Sequence, residues 1–137
     1  MTYEFTLTTE FAATPEVIFA SWLSSDGHTA MTGGIAHMST EIGAAYDAWD
    51  GYISDKNIEF EQDRRIVQSW RSSHFAAEDQ DSRIEIMLEP SSEGTLFTLQ
   101  HHNVPDGQTS YEEYGWNAHY FEPMKKRFEW LKMSSSI

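Results

Sequence analysis

A chain of 137 residues without cysteine is long enough for one domain with its own core, and it excludes disulfides, thiolate metal sites and a catalytic cysteine. Its 22 acidic and 9 basic residues give a net charge of −13, which repels phosphate backbones and anionic lipids and argues against nucleic acid or membrane as the main partner. The N-terminal stretch lacks a signal-peptide pattern, and no apolar run approaches the ~20 residues that cross a bilayer. We therefore expect a cytoplasmic protein.

The first part of the chain predicts one strand followed by two short helices. Residues 3–11 alternate between apolar and polar side chains, which is typical of a half-buried strand. Thr14 is a suitable N-cap for a helix with Pro15 at its first position. A second helix is expected to begin at Ser25 and to end at Gly33, because glycine readily adopts the left-handed conformation that stops a helix.

The middle of the chain changes to a period of two residues and predicts an antiparallel meander. Strands are expected at residues 35–40, 44–49, 52–60, 65–71, 82–89 and 95–102. Asp50-Gly51 is typical of a two-residue hairpin turn, which needs positive φ at both central positions. Further turns are expected at Asp63 and Gly94.

The last predicted element is an amphipathic helix of about 23 residues, with apolar side chains at intervals of three and four. Thr109 or Ser110 would cap it, with Glu112 or Glu113 in the capping-box position. Pro123 removes one helical hydrogen bond and predicts a kink. The apolar stripe comprises Tyr111, Tyr114, Ala118, Phe121, Met124, Phe128 and Leu131, with Trp116, Tyr120 and Trp130 beside it.

Together these elements predict an α+β domain over residues 1–133, followed by a disordered tail at 134–137. A curved antiparallel sheet of about six to seven strands would wrap around the long C-terminal helix, with the two short helices placed after the first strand. A single helix cannot cover the apolar face of so broad a sheet. The arrangement therefore predicts an internal cavity between the sheet and the helix.

Several groups of residues occur in this order along nearly the whole chain: Phe11-Ala12-Ala13-Thr14-Pro15, Trp49-Asp50-Gly51-Tyr52, Arg64-Arg65-Ile66-Val67 with Trp70-Arg71, Gly94-Thr95-Leu96 with Leu99 and His101, and Gly115-Trp116 with Tyr120-Phe121 and Met124-Lys125. In these groups the chain resembles the START-like superfamily, also called SRPBCC or helix-grip. Within it, the chain is similar to the family of homologues of the activator of heat shock protein 90 ATPase. The resemblance implies the helix-grip fold and a role in binding hydrophobic molecules such as lipids, hormones or polyketides.

The preferred functional hypothesis is a binding protein for a small apolar or aromatic molecule, with His101 and Tyr114 as polar anchors. The candidate binding residues are Trp22, Met31, Trp49, Ile66, Trp70, Ile86, Phe97, Leu99, His101, Tyr114, Trp116, Tyr120 and Phe121. Ordinary core filling is the competing interpretation of the tryptophans, and a hydrogen-bonded core histidine is the competing interpretation of His101.

Two other function classes stay open. The first is a cyclase- or hydrolase-like enzyme in which His101 or His28 is the general base, with a tyrosine hydroxyl as its partner. The second, implied only by the resemblance, is a co-chaperone or stress-response protein that contacts a chaperone. The chain could act as a monomer or as a homodimer.

The sequence predicts neither a metal site nor a cofactor. His101 and His102 are neighbours on a predicted strand and point to opposite faces, so they cannot chelate one ion together. Arg65 and Arg71 could neutralise an anionic ligand, but salt bridges to the many acids are the favoured interpretation.

Overall fold

The computed structural model describes residues 2–107 and 111–135, which contain six strands, three α-helices and two π-helical segments. The elements are β1 Thr2–Phe11, α1 Pro15–Leu23, α2 Ser25–Thr32, β2 Ala45–Ala48, β3 Ile53–Glu61, β4 Arg65–Ser72, β5 Ser82–Ser91 and β6 Gly94–Pro105, then the π-helical segments Tyr111–Gly115 and Asn117–Phe121, and finally α3 Glu122–Ser135. No helix in these ranges is long and apolar enough to span a membrane.

All six strands form one antiparallel sheet in the order β1-β6-β5-β4-β3-β2. Strands β2 to β6 follow one another as hairpins, and β1 adds to β6, with Phe11 opposite Thr95. This arrangement confirms the α+β class and the curved antiparallel sheet with a C-terminal helix.

The predicted helix signals of the first part are confirmed. Thr14 Oγ1 accepts a hydrogen bond from the backbone N–H of Val17, and Pro15 is the first residue of α1. Gly33 ends α2 in the left-handed conformation, with φ of 86°. The cap of α2 is Ser24, whose hydroxyl accepts from the backbone N–H of Gly27 at 3.1 Å.

The prediction of a strand at residues 35–40 is wrong, because this segment forms only an isolated bridge, between His37 and Asp47. The backbone of this segment bonds to helix α2 instead. The N–H of Ala36 donates to Thr29 Oγ1 at 3.0 Å, and the N–H of Met38 donates to Ser25 Oγ at 2.8 Å. These side-chain bonds replace the ladder that a longer strand would need.

The hairpin turn expected at Asp50-Gly51 is confirmed, because both residues have positive φ, at 55° and 87°, and the N–H of Tyr52 donates to Trp49 O at 3.1 Å across them. The strand ladder ends one residue earlier on each side, at Ala48 and Ile53, and Trp49 also has positive φ, at 54°. This connection places the Trp49 ring over Gly34, where an added Cβ would lie 2.4 Å from the indole. A glycine is therefore required under this tryptophan.

The C-terminal element is not a regular α-helix in its first half. Tyr111–Gly115 and Asn117–Phe121 are π-helical, and the backbone N–H of Glu122 bonds to Asn117 O, five residues back. A π-turn contains more residues than an α-turn, so the apolar stripe shifts its phase. The buried positions are Tyr111, Trp116, Tyr120, Phe121, Met124 and Phe128, whereas Tyr114 is 64% exposed.

Helix α3 extends to Ser135, past the expected start of the tail at 134. Residues 136–137 and the expected caps Thr109 and Ser110 lie outside the described residues.

The middle of the space between sheet and C-terminal helix is filled by the protein's own aromatic rings. Phe11 makes edge-to-face contacts with Phe97 at 5.2 Å and with Phe128 at 5.7 Å between ring centroids. Phe97 makes a similar contact with Phe121 at 5.7 Å. Such edge-to-face contacts stabilise the fold beyond what the burial of apolar area contributes. A cavity must therefore lie toward one end of this interface and not at its centre.

Salt bridges account for both arginines that the sequence analysis singled out. Arg65 bonds to Glu85 at 2.6 Å and to Glu59 and Glu61. Arg71 bonds to Asp81 at 2.9 Å and also donates to backbone carbonyls of the loop before β5. The favoured interpretation of these two residues is confirmed.

The turn between β5 and β6 allows a sharp test of the packing. Gly94 has φ of 138°, and a Cβ there would lie 2.5 Å from the Phe11 carbonyl oxygen and 2.7 Å from the Ala13 nitrogen. Gly43 also has positive φ, at 85°, but nothing lies within 4 Å of its added Cβ. We expect Gly94→Ala to lower the free energy of unfolding by about 3 kcal/mol or more, and Gly43→Ala by about 1 kcal/mol. Urea denaturation measures both, and equal losses would contradict the close approach of β1 to this turn.

Candidate functional site

A cavity of about 510 Å³ lies at one end of the interface between the sheet and the C-terminal segment. The turn after β2, the start of β3, the end of β4 and the two π-helical segments surround it. Its described lining residues are Trp49, Tyr52, Ile53, Trp70, His74, Tyr111, Tyr114, Gly115, Trp116, His119 and Tyr120. None of them is an acid, a lysine or an arginine. The cavity is therefore aromatic, with hydroxyl, indole and imidazole groups as its polar atoms.

The outer rim of the cavity consists of side chains that also contact solvent. Tyr114 is 64% exposed and Tyr52 is 36% exposed. His119 packs edge-on against Trp49 at 5.3 Å and against Tyr114 at 6.1 Å between ring centroids. Tyr52 hydrogen-bonds to His74 at 3.2 Å on the opposite side of the rim. The rim is thus a ring of aromatic groups around an opening.

The floor of the cavity is formed by Trp70 and Trp116, which are buried and lie 5.8 Å apart between ring centroids. The indole N–H of Trp116 donates to His101 Nδ1 at 3.1 Å. Nε2 of a neutral His101 then carries the proton and donates to Ser82 Oγ at 2.9 Å, and the Ser82 hydroxyl donates to Trp70 O at 2.7 Å. These bonds satisfy the polar side-chain atoms of Trp116, His101 and Ser82.

His101 itself does not border the cavity. It is 0% exposed and packs behind Trp70, with ring centroids 4.7 Å apart. Burial, assisted by the neighbouring His102, lowers the pKa of His101 to about 3. A general base needs a pKa near the working pH and hydrogen-bond reach to a substrate proton, and His101 has neither. Its geometry is that of a hydrogen-bonded core histidine.

Tyr120, which forms a wall of the cavity, is also held by a hydrogen bond to a buried histidine, His28. His28 Nδ1–H donates to the carbonyl of Trp22 at 2.9 Å, so Nε2 accepts the hydroxyl proton of Tyr120 at 3.1 Å. Burial lowers the pKa of His28 to about 4, which keeps this ring neutral and able to accept. Burial also raises the pKa of the Tyr120 hydroxyl well above its ordinary value, and the nearby Trp49 indole opposes this shift.

A second buried chain of side chains continues from Trp22. Its indole N–H donates to Gln68 Oε1 at 3.0 Å, and Gln68 donates in turn to Asn57 Oδ1 at 2.9 Å. Asn57 donates to the backbone carbonyls of Ser39 and Glu41, so the polar atoms are satisfied as far as the surface loop. The network joins α1 to β3 and β4.

One polar atom at the cavity wall is poorly satisfied. The indole Nε1 of Trp49 is shielded from solvent and forms no hydrogen bond of ordinary geometry within residues 2–107 and 111–135, although the Tyr120 hydroxyl lies near it as a potential acceptor. Leaving such a donor unpaired costs ~1–3 kcal/mol. A small rotation of the indole toward an acceptor would recover this free energy.

Only part of the predicted binding set meets at the cavity. Trp49, Trp70, Tyr114, Trp116 and Tyr120 line it. The other predicted residues are buried in the core away from the described lining: Trp22, Met31, Ile66, Ile86, Phe97, Leu99, His101 and Phe121. The alternation of β4 to β6 correctly indicated which side chains point inward, but most inward positions contact other protein side chains.

The sequence analysis missed several lining residues: Tyr52, Ile53, His74, Tyr111, Gly115 and His119. Tyr111, Tyr52 and Gly115 had signals, since Tyr111 lay on the apolar stripe and the other two belonged to groups that carry the resemblance. Tyr52 and His74 lie outside the strands and meet only because the start of β3 lies beside the end of β4, with Ile53 opposite Ser72. No local pattern marks that contact.

No group of three or more histidine, aspartate and glutamate side chains in the described ranges is placed to hold a metal ion. Among the described lining residues of the cavity, only the imidazoles of His74 and His119 are potential metal ligands. Its chemistry is therefore that of apolar contact supplemented by a few hydrogen bonds.

The two buried histidines predict how stability depends on pH. Their pKa values are lowered from 6.5 to about 4 and about 3, so the unfolded chain binds more protons than the folded one below pH 6.5. Their contribution is fully present above pH 6.5 and is lost as pH falls, by roughly 1.4 kcal/mol per pH unit for each histidine. Urea denaturation between about pH 7 and about pH 5 measures this slope.

His101→Gln and His28→Gln are the matched variants for this measurement, because each removes one titrating ring. Each variant should reduce the change of the unfolding free energy with pH by the contribution of one histidine, whatever its effect on the unfolding free energy at a single pH. Asp55, whose pKa burial raises to about 6, contributes an opposite slope that both variants retain. A slope unchanged in both variants would contradict the neutral, buried state of these rings.

Comparison with known proteins agrees with this architecture. The family model described as "Activator of Hsp90 ATPase homolog 1-like protein" matches residues 12–129. A human protein, "Activator of 90 kDa heat shock protein ATPase homolog 1", is 23% identical over 132 residues. That alignment covers 93% of this chain and 37% of the human protein, so the chain spans little more than a third of this relative.

Two solved structures show the same fold at low sequence identity. An HSP90 activator from Plasmodium falciparum superimposes with a TM-score of 0.80 at 20% identity, covering 90% of this chain and 94% of that one. The Aha1 dimer from Colwellia psychrerythraea gives a TM-score of 0.77 at 14% identity, covering 93% and 96%. The resemblance read from the residue groups is thus confirmed, and the match over residues 12–129 places the chain in the family of Activator of Hsp90 ATPase homolog 1-like proteins.

Proposed function

We propose that this domain binds a small, largely apolar molecule in the cavity beneath the π-helical segments. The observation that carries the proposal is the cavity of about 510 Å³, whose wall is built from tryptophan and tyrosine rings. This volume falls within the ~300–1,000 Å³ of typical small-molecule sites. Rings of this kind offer large contact areas at a low cost in side-chain entropy.

The division between floor and rim supports the same proposal. Trp116 and Tyr120 are held by hydrogen bonds to buried groups, so the floor keeps its shape without a ligand. Tyr114 and His119 are exposed at the rim, where a molecule would enter. A preorganised floor lowers the free energy that is spent on ordering the site upon binding.

The lining also limits the chemistry of the ligand. No described lining residue is a lysine or an arginine, and the net charge of −13 further disfavours anions. An acceptor atom on the ligand would satisfy the indole N–H of Trp49 after a small rotation of that ring. The favoured ligand is therefore an uncharged aromatic or aliphatic molecule with one or two acceptor groups.

Removing a ring from the rim should weaken ligand binding without unfolding the protein. A ring that contacts ~50 Å² of ligand contributes about 1.2 kcal/mol, or roughly eightfold in affinity. We expect Tyr114→Ala to raise the Kd of the uncharged fluorescent probe N-phenyl-1-naphthylamine by about that factor. Ile42→Ala is the control, because Ile42 is 62% exposed and lies outside the cavity lining.

Two results would overturn the assignment of the cavity. One is an absence of probe binding by the wild-type protein. The other is an equal Kd for the wild type and for Tyr114→Ala. Mass spectrometry of the purified protein under non-denaturing conditions then identifies any natural molecule that remains bound.

Family membership supports a second candidate function, contact with an Hsp90-type chaperone. The matched human protein and the Plasmodium falciparum structure are both named as activators of that chaperone. This chain corresponds to 37% of the human protein, so the contact would rest on the single domain. Such a contact does not require the cavity to be occupied.

ATP hydrolysis by the purified Hsp90-type chaperone of the same organism tests the second candidate. We expect the added domain to raise the rate at saturating concentration, because an activator binds the active conformation more tightly than the inactive one. A competitive inhibitor of the chaperone's nucleotide site corrects for contaminating hydrolysis. An unchanged corrected rate would exclude activation, and an accompanying absence of binding by calorimetry would exclude the contact.

A further inference from the structure

A second concave surface lies on the outer side of helix α3, away from the cavity. Pro123, Lys126, Arg127 and Trp130 occupy positions i, i+3, i+4 and i+7, which share one face of the helix. The core residues Met124, Phe128 and Leu131 lie on the neighbouring face, about 100° further round the helix. Together with the end of α2, from Ala30 to Gly33, the face of Pro123 and Trp130 forms a shallow depression that is wide open to solvent, which we call the α2–α3 groove.

The cations of this groove have no acidic partner among the residues that the structure describes. In the described part of the chain, neither Lys126 nor Arg127 forms an ion pair. Arg65 and Arg71 by contrast bond to several carboxylates. The chain carries 22 acidic residues, yet none of the described residues that line the groove is acidic. Unpaired cations on so acidic a protein provide charge complementarity for an external acid.

The aromatic side chain of the groove is held next to one of these cations. The Arg127 guanidinium lies 5.3 Å from the centroid of the Trp130 ring, within the range of a cation–π contact. Trp130 is nevertheless 57% exposed, and Met133, one turn further along, is 70% exposed. Tryptophan and arginine are the residue types that dominate binding free energy at protein interfaces. The groove thus combines an anchoring ring with a preoriented guanidinium.

We propose that the α2–α3 groove binds an acidic segment of another protein. Carboxylates of that segment bond to Lys126 and Arg127, and an apolar side chain of the segment packs on Trp130. A second copy of this chain is a poor occupant, because two chains of net charge −13 repel each other. An anionic membrane surface is disfavoured for the same reason.

Fluorescence anisotropy with two labelled synthetic peptides tests the proposal. One peptide alternates glutamate and leucine, and its control carries glutamine in place of every glutamate. We expect the acidic peptide to bind, to lose affinity as salt screens the contact, and to weaken roughly tenfold or more with Arg127→Glu. Trp130→Ala should weaken binding roughly fivefold, because it removes the apolar anchor.

The matched control is Arg83→Glu, which makes the same change in net charge at an exposed position of β5, outside the groove. It should alter affinity less than about twofold. Circular dichroism confirms that each variant is folded. Equal weakening by Arg127→Glu and Arg83→Glu, or equal binding of the two peptides, would overturn the proposal.

Two further outcomes would assign the groove to another occupant and so reject the acidic segment. Sedimentation equilibrium would detect self-association of the wild type that Arg127→Glu abolishes. Vesicles that contain anionic lipid would bind the wild type while the acidic peptide does not. None of these measurements depends on the cavity, so the result is independent of the function proposed for it.

Discussion

Hydrogen bonds to two neutral, buried histidines hold the cavity in shape. Trp116 donates to His101 and Tyr120 donates to His28, and an imidazole accepts only while one of its nitrogens is unprotonated. Burial supplies this condition, because it lowers both pKa values far below neutrality. His101 belongs to β6 and His28 to α2, so the π-helical segments are tied to the sheet on one side and to a helix on the other. The aromatic floor therefore depends on polar contacts inside an apolar core.

The π-helical winding is what brings the donors to these histidines. Tyr111, Trp116 and Tyr120 are separated by five and four residues, and all three are buried. A regular α-helix would instead turn Tyr114 inward, as the spacing of three and four residues had predicted. Wider turns are uncommon and are frequent at functional sites. Pro123 follows directly, and its missing N–H suits the point where the winding changes to a regular α-helix.

The sequence predicted features that depend on short-range chemistry. The cap at Thr14, the stop at Gly33 and the alternation of β4 to β6 each follow from a few neighbouring residues. The site depends on contacts between residues far apart in the chain, such as the Trp49 ring over Gly34. The inward direction of His101 was correctly predicted, but periodicity cannot distinguish a side chain that faces a cavity from one that packs against another ring. Only the packing of the folded core shows which of the two applies to a given inward side chain.

The ligands that we propose for the cavity and for the α2–α3 groove have opposite chemistry, and the charge of the chain explains how both sites could be selective. The described lining of the cavity contains no lysine, arginine or acid, so shape and apolar area would select the proposed ligand. The groove presents Lys126 and Arg127, which form no ion pair among the described residues, in a chain whose net charge of −13 repels anions at long range. The Debye length is ~10 Å at 0.1 M salt. Salt therefore weakens the long-range repulsion more than it weakens the direct contacts in the groove. A partner with a short acidic stretch and little charge elsewhere experiences the attraction of the groove with the least repulsion. The distribution of charge in the partner is therefore as decisive as its net value.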